Sequence, residues 1–211
     1  MNATIAVTRN ESALGAVIGR AQESTVRQSA DHDLIKRIAS GDKLAMRAMF
    51  ARHNVYVYRF VLRLVGDEAL ADDLVSEVFI DVWRNAGRFE GRSQVSTWIM
   101  AIARFKALSA LRRRKDDELD DAEAATIPDT ADDPEIAVQK KDCLAILRKC
   151  MSHLSRDHRE IIDLVYFHEK TVEEAAEIVG VPENTAKTRM FHARKRMSQL
   201  LQKAGIDRNY Q

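Results

Sequence analysis

Two cysteines, three prolines and eight glycines in 211 residues remove several architectures at once. Two cysteines cannot build a disulfide framework. Turn residues this sparse do not suit a β sandwich or barrel. The longest stretch without Asp, Glu, Lys or Arg runs from Ser93 to Ala103, 11 residues, where a membrane-spanning helix needs about 20 apolar ones. The N-terminal segment has no basic start followed by an apolar core and cleavage site, and no Gly-rich phosphate loop or triad-like string suggests catalysis. The expectation is a cytoplasmic, reduced chain that is not an enzyme, needs no cofactor and makes no membrane contact of its own. What is present is 45% apolar and 31% charged residues, the mixture of amphipathic helices with charged outer faces, so the fold class expected is all-α.

A net charge of +1 conceals segregation of sign along the chain. Residues 33–115 sum to +7, residues 116–135 carry ten acids and no base, and residues 136–203 sum to +4. The acidic stretch, DDELDDAEAATIPDTADDP from Asp116 to Pro134, is poor in apolar residues and repels itself, so it reads as a flexible linker between two small helical domains. The polar, aperiodic segment 1–32 reads as a mobile arm and 204–211 as a tail.

In the first domain, 33–115, apolar residues recur at helical spacing: Leu34 and Ile38, then Leu44, Met46, Met49 and Phe50, then Val57, Phe60, Val61 and Leu64, with Gly41 and Gly66 as punctuation. A helix starting at Asp67-Glu68 carries the stripe Leu74, Val78, Phe79, Val82, Trp83 and an opposite acidic face of Asp72, Asp73, Glu77 and Asp81. The glycines and arginines of 84–93 read as a loop. A helix capped by Ser96 or Thr97 then follows through Trp98 and Arg104 to the basic run Arg112-Arg113-Arg114-Lys115. Cations interleaved with Trp83, Phe89, Trp98 and Phe105 suit single-stranded nucleic acid, because bases stack on aromatics while cations neutralise phosphate.

The second domain, 136–203, opens with helices over Ile136–Met151 and Ser155–Tyr166. Thr171 and Glu174 form a capping box before a short helix, and Gly180-Val181-Pro182 breaks the chain before a longer helix from Glu183. This is a helix-turn-helix pattern. At 100° per residue, Ala186, Met190, Ala193, Met197, Leu200 and Leu201 share one arc of the second helix. Asn184, Thr185, Thr188, His192 and Lys195 lie opposite, with Lys187, Arg189, Phe191 and Arg194 on the flanks. Asn, Thr and His can reach base edges, Phe191 can meet a thymine methyl, and five bases without an acid between Lys187 and Arg196 favour DNA.

The strings ADDLVSEVFIDVWRN (Ala71–Asn85), RFEGRSQVSTWIMAIAR (Arg88–Arg104) and TVEEAAEIVGVPENTAKTRMFHARKRM (Thr171–Met197) together resemble the extracytoplasmic-function sigma factors, initiation subunits of bacterial RNA polymerase. The resemblance covers residues 33–202. It implies a sigma-2 domain and a sigma-4 domain that direct promoter-specific initiation, often under stress and under an anti-sigma factor. Asp73, Glu77 and Asp81 would face the clamp helices of core polymerase, with the flap as a further contact. Asn85, Arg88, Phe89, Arg92, Ser93, Ser96, Thr97, Trp98, Arg104, Arg112 and Arg113 would serve −10 recognition and melting, the loop 85–97 taking a flipped base. The −35 element would be read by Lys187, Thr188, Phe191 and His192, with Asn184, Thr185, Arg189, Arg194 and Lys195 around them. Where many relatives carry Ala-Arg-Asn followed by Asp, this chain has Phe105 and Ser109. Asn184 and Ala186 replace the frequent glycine and valine.

The competing class is a two-domain helix-turn-helix repressor with a ligand- or redox-sensing lobe. Cys143, Cys150 and His153 share a helical stripe near His158, but no C-x-x-C pair accompanies them, so packed thiols are the expectation.

Overall fold

The computed structural model describes residues 29–118 and 146–204. The expectations for the arm before residue 29, for the acidic linker beyond 118, for Cys143 and for the tail after 204 lie outside these residues. Among the described residues every regular element is helical: α1 (29–39), α2 (Lys43–Val65), α3 (Glu68–Asn85), a 3-10 turn (Ala86–Arg88), α4 (Val95–Glu118), α5 (146–152), α6 (Arg156–Tyr166), α7 (Val172–Val179) and α8 (Glu183–Lys203). They divide into two compact units, 29–53 with 80–96, and 54–79 with 97–118 and 146–204.

In the first unit α1 buries Leu34, Ile35 and Ile38, and the start of α2 buries Ala45 and Met49. Helical order already covers 29–32, ahead of the expected start at Asp33, because Asp31 is buried and held by Arg52 and by His53 Nε2 at 2.9 Å. Gly41 turns the corner with φ +87°, a conformation that disfavours any Cβ. Asp42 then starts α2: its Oδ1 accepts from the backbone N–H of Leu44 and Ala45 at 2.8 and 3.1 Å, giving an acceptor to two of the donors that a helix start leaves without partners. This start sets the phase of the helix. Ala45 and Met49 face inward, whereas Leu44 is 68% and Phe50 42% exposed, each 100° off the buried line. Apolar spacing places both on the stripe, and both lie outside the core.

In the second unit α2 continues through buried Val57, Phe60, Val61 and Val65, α3 contributes Leu74, Val75, Val78 and Phe79, and α4 contributes Ile99, Met100, Ala103, Ala107 and Ala110. Each of the larger side chains stabilises by about 1.5–3 kcal/mol on burial. Gly66, at φ +71°, ends α2, and Asp67 Oδ1 caps α3 through the Leu70 N–H at 3.0 Å. α4 starts at Val95, so Ser96 and Thr97 lie within its first turn instead of capping it; the Thr97 hydroxyl is engaged elsewhere. α6 is capped by Ser155, whose hydroxyl accepts from the His158 N–H at 3.4 Å. It buries Ile161, Ile162 and Leu164.

Candidate nucleic-acid interface

The helix-turn-helix is built locally. The Thr171 hydroxyl accepts from the Glu174 N–H at 3.1 Å and Glu174 Oε2 accepts from the Thr171 N–H at 3.0 Å, so two donors at the start of α7 are satisfied reciprocally. Gly180 ends α7 at φ 71°, ψ 40°, with its N–H on Ala176 O at 2.8 Å and the Val181 N–H on the same carbonyl at 3.1 Å. Only glycine takes this left-handed position without strain. Pro182 then precedes α8, where its missing N–H costs nothing, and its carbonyl accepts from Thr185 and Ala186.

α8 presents the face read from its sequence. Ala186, Met190, Ala193 and Met197 are buried, while Asn184, Lys187, Thr188, Phe191, His192, Arg194 and Lys195 are exposed and Thr185 and Arg189 are half-buried. Leu200 and Leu201, expected on the core arc, are half-buried. Several of these side chains have neighbours. Lys187 pairs with Glu183 one turn back; this hydrogen bond and the carboxylate's charge hold the ammonium above its ordinary value. The Thr188 hydroxyl donates to Asn184 O at 2.9 Å. Phe191, 64% exposed, meets the His192 ring edge-on at 5.4 Å.

α6 reaches the same face, which periodicity did not foretell. Arg189 Nη2 lies 2.7 Å from Asp157 Oδ2. The His158 ring stacks on His192 at 6.5 Å and 30°, and the Arg194 guanidinium sits 5.7 Å from the centroid of Tyr166.

The residues expected to serve the −10 element are divided among three environments. Arg88 and Arg92 are exposed, Arg92 beside Glu90, and Arg112 and Arg113 point into solvent near the end of α4. Asn85, Phe89, Ser93, Ser96 and Trp98 are half-buried. Asn85 donates to Asp81 O at 2.9 Å, and Phe89 lies against the His32 ring at 5.6 Å. Thr97 and Arg104, by contrast, are engaged within the second unit. Thr97 is buried, and its hydroxyl donates to Glu174 Oε1 at 2.8 Å. Arg104 pairs through Nε and Nη2 with the two oxygens of Glu160, whose side chain is 2% exposed.

Further contacts lie within the second unit. Arg63 pairs with buried Asp163 and lies 4.5 Å over the Phe167 ring, and Lys170 Nζ reaches Thr97 Oγ1 at 3.2 Å and Glu174 Oε1 at 3.3 Å. Burial pushes the Glu174 carboxyl up, but the Thr171 N–H, the Lys170 charge and the Thr97 hydroxyl together hold it below its ordinary value. His168, also buried, has a ring nitrogen 3.3 Å from Asp163 Oδ2 without hydrogen-bond alignment, so proximity is the whole of that contact. Glu160 and Asp163 were not singled out from the sequence. For Glu160, about 40° from Leu164 on the helical wheel, that place is the available signal, since an acid on an apolar arc needs a cation, whereas Asp163, about 100° from Leu164, offers none.

On α3, Asp73 and Glu77 are exposed and Asp81 is half-buried, successive members of one helical line at i, i+4 and i+8. Glu77 Oε2 accepts from Lys106 Nζ at 3.2 Å. In the second unit Cys150 is buried and His153 is exposed, its Nδ1 2.6 Å from Lys149 O. No described helix is long and apolar enough to cross a membrane.

Comparison with known proteins identifies the family. The family model for Sigma-70 region 2 matches residues 49–116, and that for Sigma-70 region 4 matches residues 144–197. RNA polymerase sigma-H factor of Pseudomonas aeruginosa is 29% identical over 184 residues, covering 83% of this chain and 95% of that protein. ECF RNA polymerase sigma factor SigM of Bacillus subtilis is 30% identical over 146 residues, 68% of this chain and 87% of that protein. Among solved structures, the sigma factor RpoE of Bartonella quintana, crystallised with the anti-sigma factor NepR, superposes with a TM-score of 0.62 at 25% identity, over 74% of this chain and 96% of that one.

Proposed function

This chain belongs to the ECF RNA polymerase sigma factors, which direct promoter-specific transcription initiation, and we propose how its surfaces divide that work. Residues 33–115 form the sigma-2 domain, docking on core polymerase through Asp73, Glu77 and Asp81 and serving the −10 element through the segment 85–97, which runs from the end of α3 to the first turn of α4, and through the basic end of α4. Residues 136–203 form the sigma-4 domain, which reads the −35 element with α8, and residues 116–135 link the two. An anti-sigma factor controls the chain, as the pairing of the Bartonella protein with NepR suggests. The chain works in the cytoplasm and performs no catalysis itself.

The observation that carries this reading is the exposed line Asn184, Thr188 and His192 opposite buried Ala186, Met190 and Ala193, with exposed Lys187 on its flank, on a helix whose entry angle is set by Gly180. Such a line places base-reading side chains where a major groove can receive them. The test is run-off transcription with core polymerase on a randomised promoter library. Selection of paired −35 and −10 elements, with only weak duplex binding by the free chain, is the expected result, because each small domain alone offers few phosphate contacts. Promoter-specific nanomolar binding by the free chain at physiological salt would instead identify a repressor.

A further inference from the structure

α6 contributes no side chain to the expected DNA-reading set, yet it meets three members of that set. Asp157 holds one nitrogen of Arg189 at 2.7 Å. His158 stacks on His192 at 6.5 Å, and Tyr166 lies beneath Arg194 at 5.7 Å. Asp157 and His158 are neighbours in the first turn of α6, fixed by the Ser155 cap. Their partners Arg189 and His192 are three residues apart on α8, so they share its surface.

We propose that Asp157 and His158 are specificity-determining residues for −35 reading, positioning Arg189 and His192 without touching DNA themselves. This rests on the assignment of α8 as the −35 reader. A free arginine on a helix surface samples many rotamers and pairs readily with any phosphate, which adds affinity without sequence information. A guanidinium carries five N–H donors. The ion pair with Asp157 narrows the positions open to those donors and partly neutralises the charge, which suppresses indiscriminate phosphate contacts. The His192 ring is exposed and has two aromatic neighbours, His158 at 6.5 Å and Phe191, edge-on, at 5.4 Å. A ring with such neighbours gives up less freedom when it meets a base, and ordering a side chain in advance raises the fraction of binding free energy available for discrimination.

The two residues act in distinguishable ways. Asp157→Asn frees Arg189 and removes a negative charge. In the full chain this strengthens binding to a non-specific duplex and steepens its salt dependence by about 0.9 in log–log slope, the equivalent of one added phosphate contact. In holoenzyme it lowers preference for the selected −35 element over its single-base variants roughly two- to tenfold. His158→Ala lowers the same preference with no change in salt slope, and His158→Phe, which keeps a stacking ring, restores it. Because Asp157 lies in the first turn of α6, Asp157→Ser provides a second neutral variant suited to a helix start, and thermal melts confirm that each variant is folded. In an Arg189→Ala background, Asp157→Asn has no further effect on preference; a loss of equal size in both backgrounds reveals a purely structural role and overturns the proposal. If Lys187→Ala, Thr188→Ala, Arg189→Ala and His192→Ala all leave −35 preference unchanged, the assignment of α8 as reader has failed instead, whereas unchanged preference in only Arg189→Ala and His192→Ala overturns the proposal. Preference lost in those two variants but intact in Asp157→Asn and His158→Ala overturns the positioning role alone.

Discussion

α8 and the start of α4 were both assigned to nucleic acid on the same kind of residue, cations mixed with aromatics and hydroxyls, and the structure treats them differently. On α8 the polar residues Asn184, Thr188 and His192 form an exposed line opposite the side chains that anchor the helix. On α4, Thr97 and Arg104 are covered by Glu174 and Glu160, which lie 77 and 56 residues further along the chain. A helical wheel separates inside from outside where one face is buried and the other meets water. It fails where a second set of elements covers the other face, because the wheel records angle and not company.

The largest effect that sharpens this contrast is at Arg104. Arg104→Ala leaves the Glu160 carboxylate, 2% exposed, without its cation, and urea unfolding should show a loss of about 3 kcal/mol. Arg113→Ala, at an exposed position on the same helix, should leave the unfolding curve where it is. Equal stability of the two variants would mean that the Arg104–Glu160 pair does not hold in the free protein.

On α8 the expected pattern is reversed, with function changed and stability retained. Thr188→Ala and His192→Ala should each remove about 1–3 kcal/mol of discrimination wherever a base contact is lost, measured as initiation from −35 variants. Lys187→Ala should act in the same direction, whereas Lys195→Ala should weaken all sequences alike. Unaltered −35 preference across the whole set would remove α8 from the readout.

A smaller effect belongs to the hairpin itself. Thr171→Ala deletes one half of the capping box, and thermal unfolding should register a loss of about 1 kcal/mol, with Thr171→Ser close to wild type.

The smallest effect is a pH dependence. The folded protein holds the Glu174 carboxyl below its ordinary value of 4.5, so the unfolded chain takes up its proton first as acid is added. The stabilisation from Glu174 is therefore complete above pH 4.5 and disappears as pH falls through the lower folded value. Glu174→Gln should flatten that part of the stability–pH curve, and an unchanged acid limb would show that other carboxylates account for it.

Much of the hairpin was legible because its signals are local. A capping box spans four residues, Gly180 requires only its own φ, and the buried line of α8 repeats within a few turns. The α2 stripe was read with Leu44 and Phe50 included because apolar spacing alone does not reveal where a helix starts, and the Asp42 cap sets that phase. Ser96 and Thr97 were read as caps because both residue types favour that position. A start at Val95 instead frees the Thr97 hydroxyl for Glu174. Nothing local marks Asp157 and His158 as neighbours of α8, because their partners Arg189 and His192 lie 32 and 34 residues onward.

The sequence by itself determined the helical class, the segregation of charge, the helix-turn-helix and the outward face of α8, since each follows from preferences expressed within a few turns of chain. Tertiary structure alone decided that Arg63 and Arg104 meet the buried carboxylates of Asp163 and Glu160, across 100 and 56 residues, and that α6 lies against the reading helix. Those pairings depend on which charges are brought together out of water. An ion pair takes much of its strength from the burial of its partners, and that burial is a property of the packed elements that no local stretch of sequence specifies.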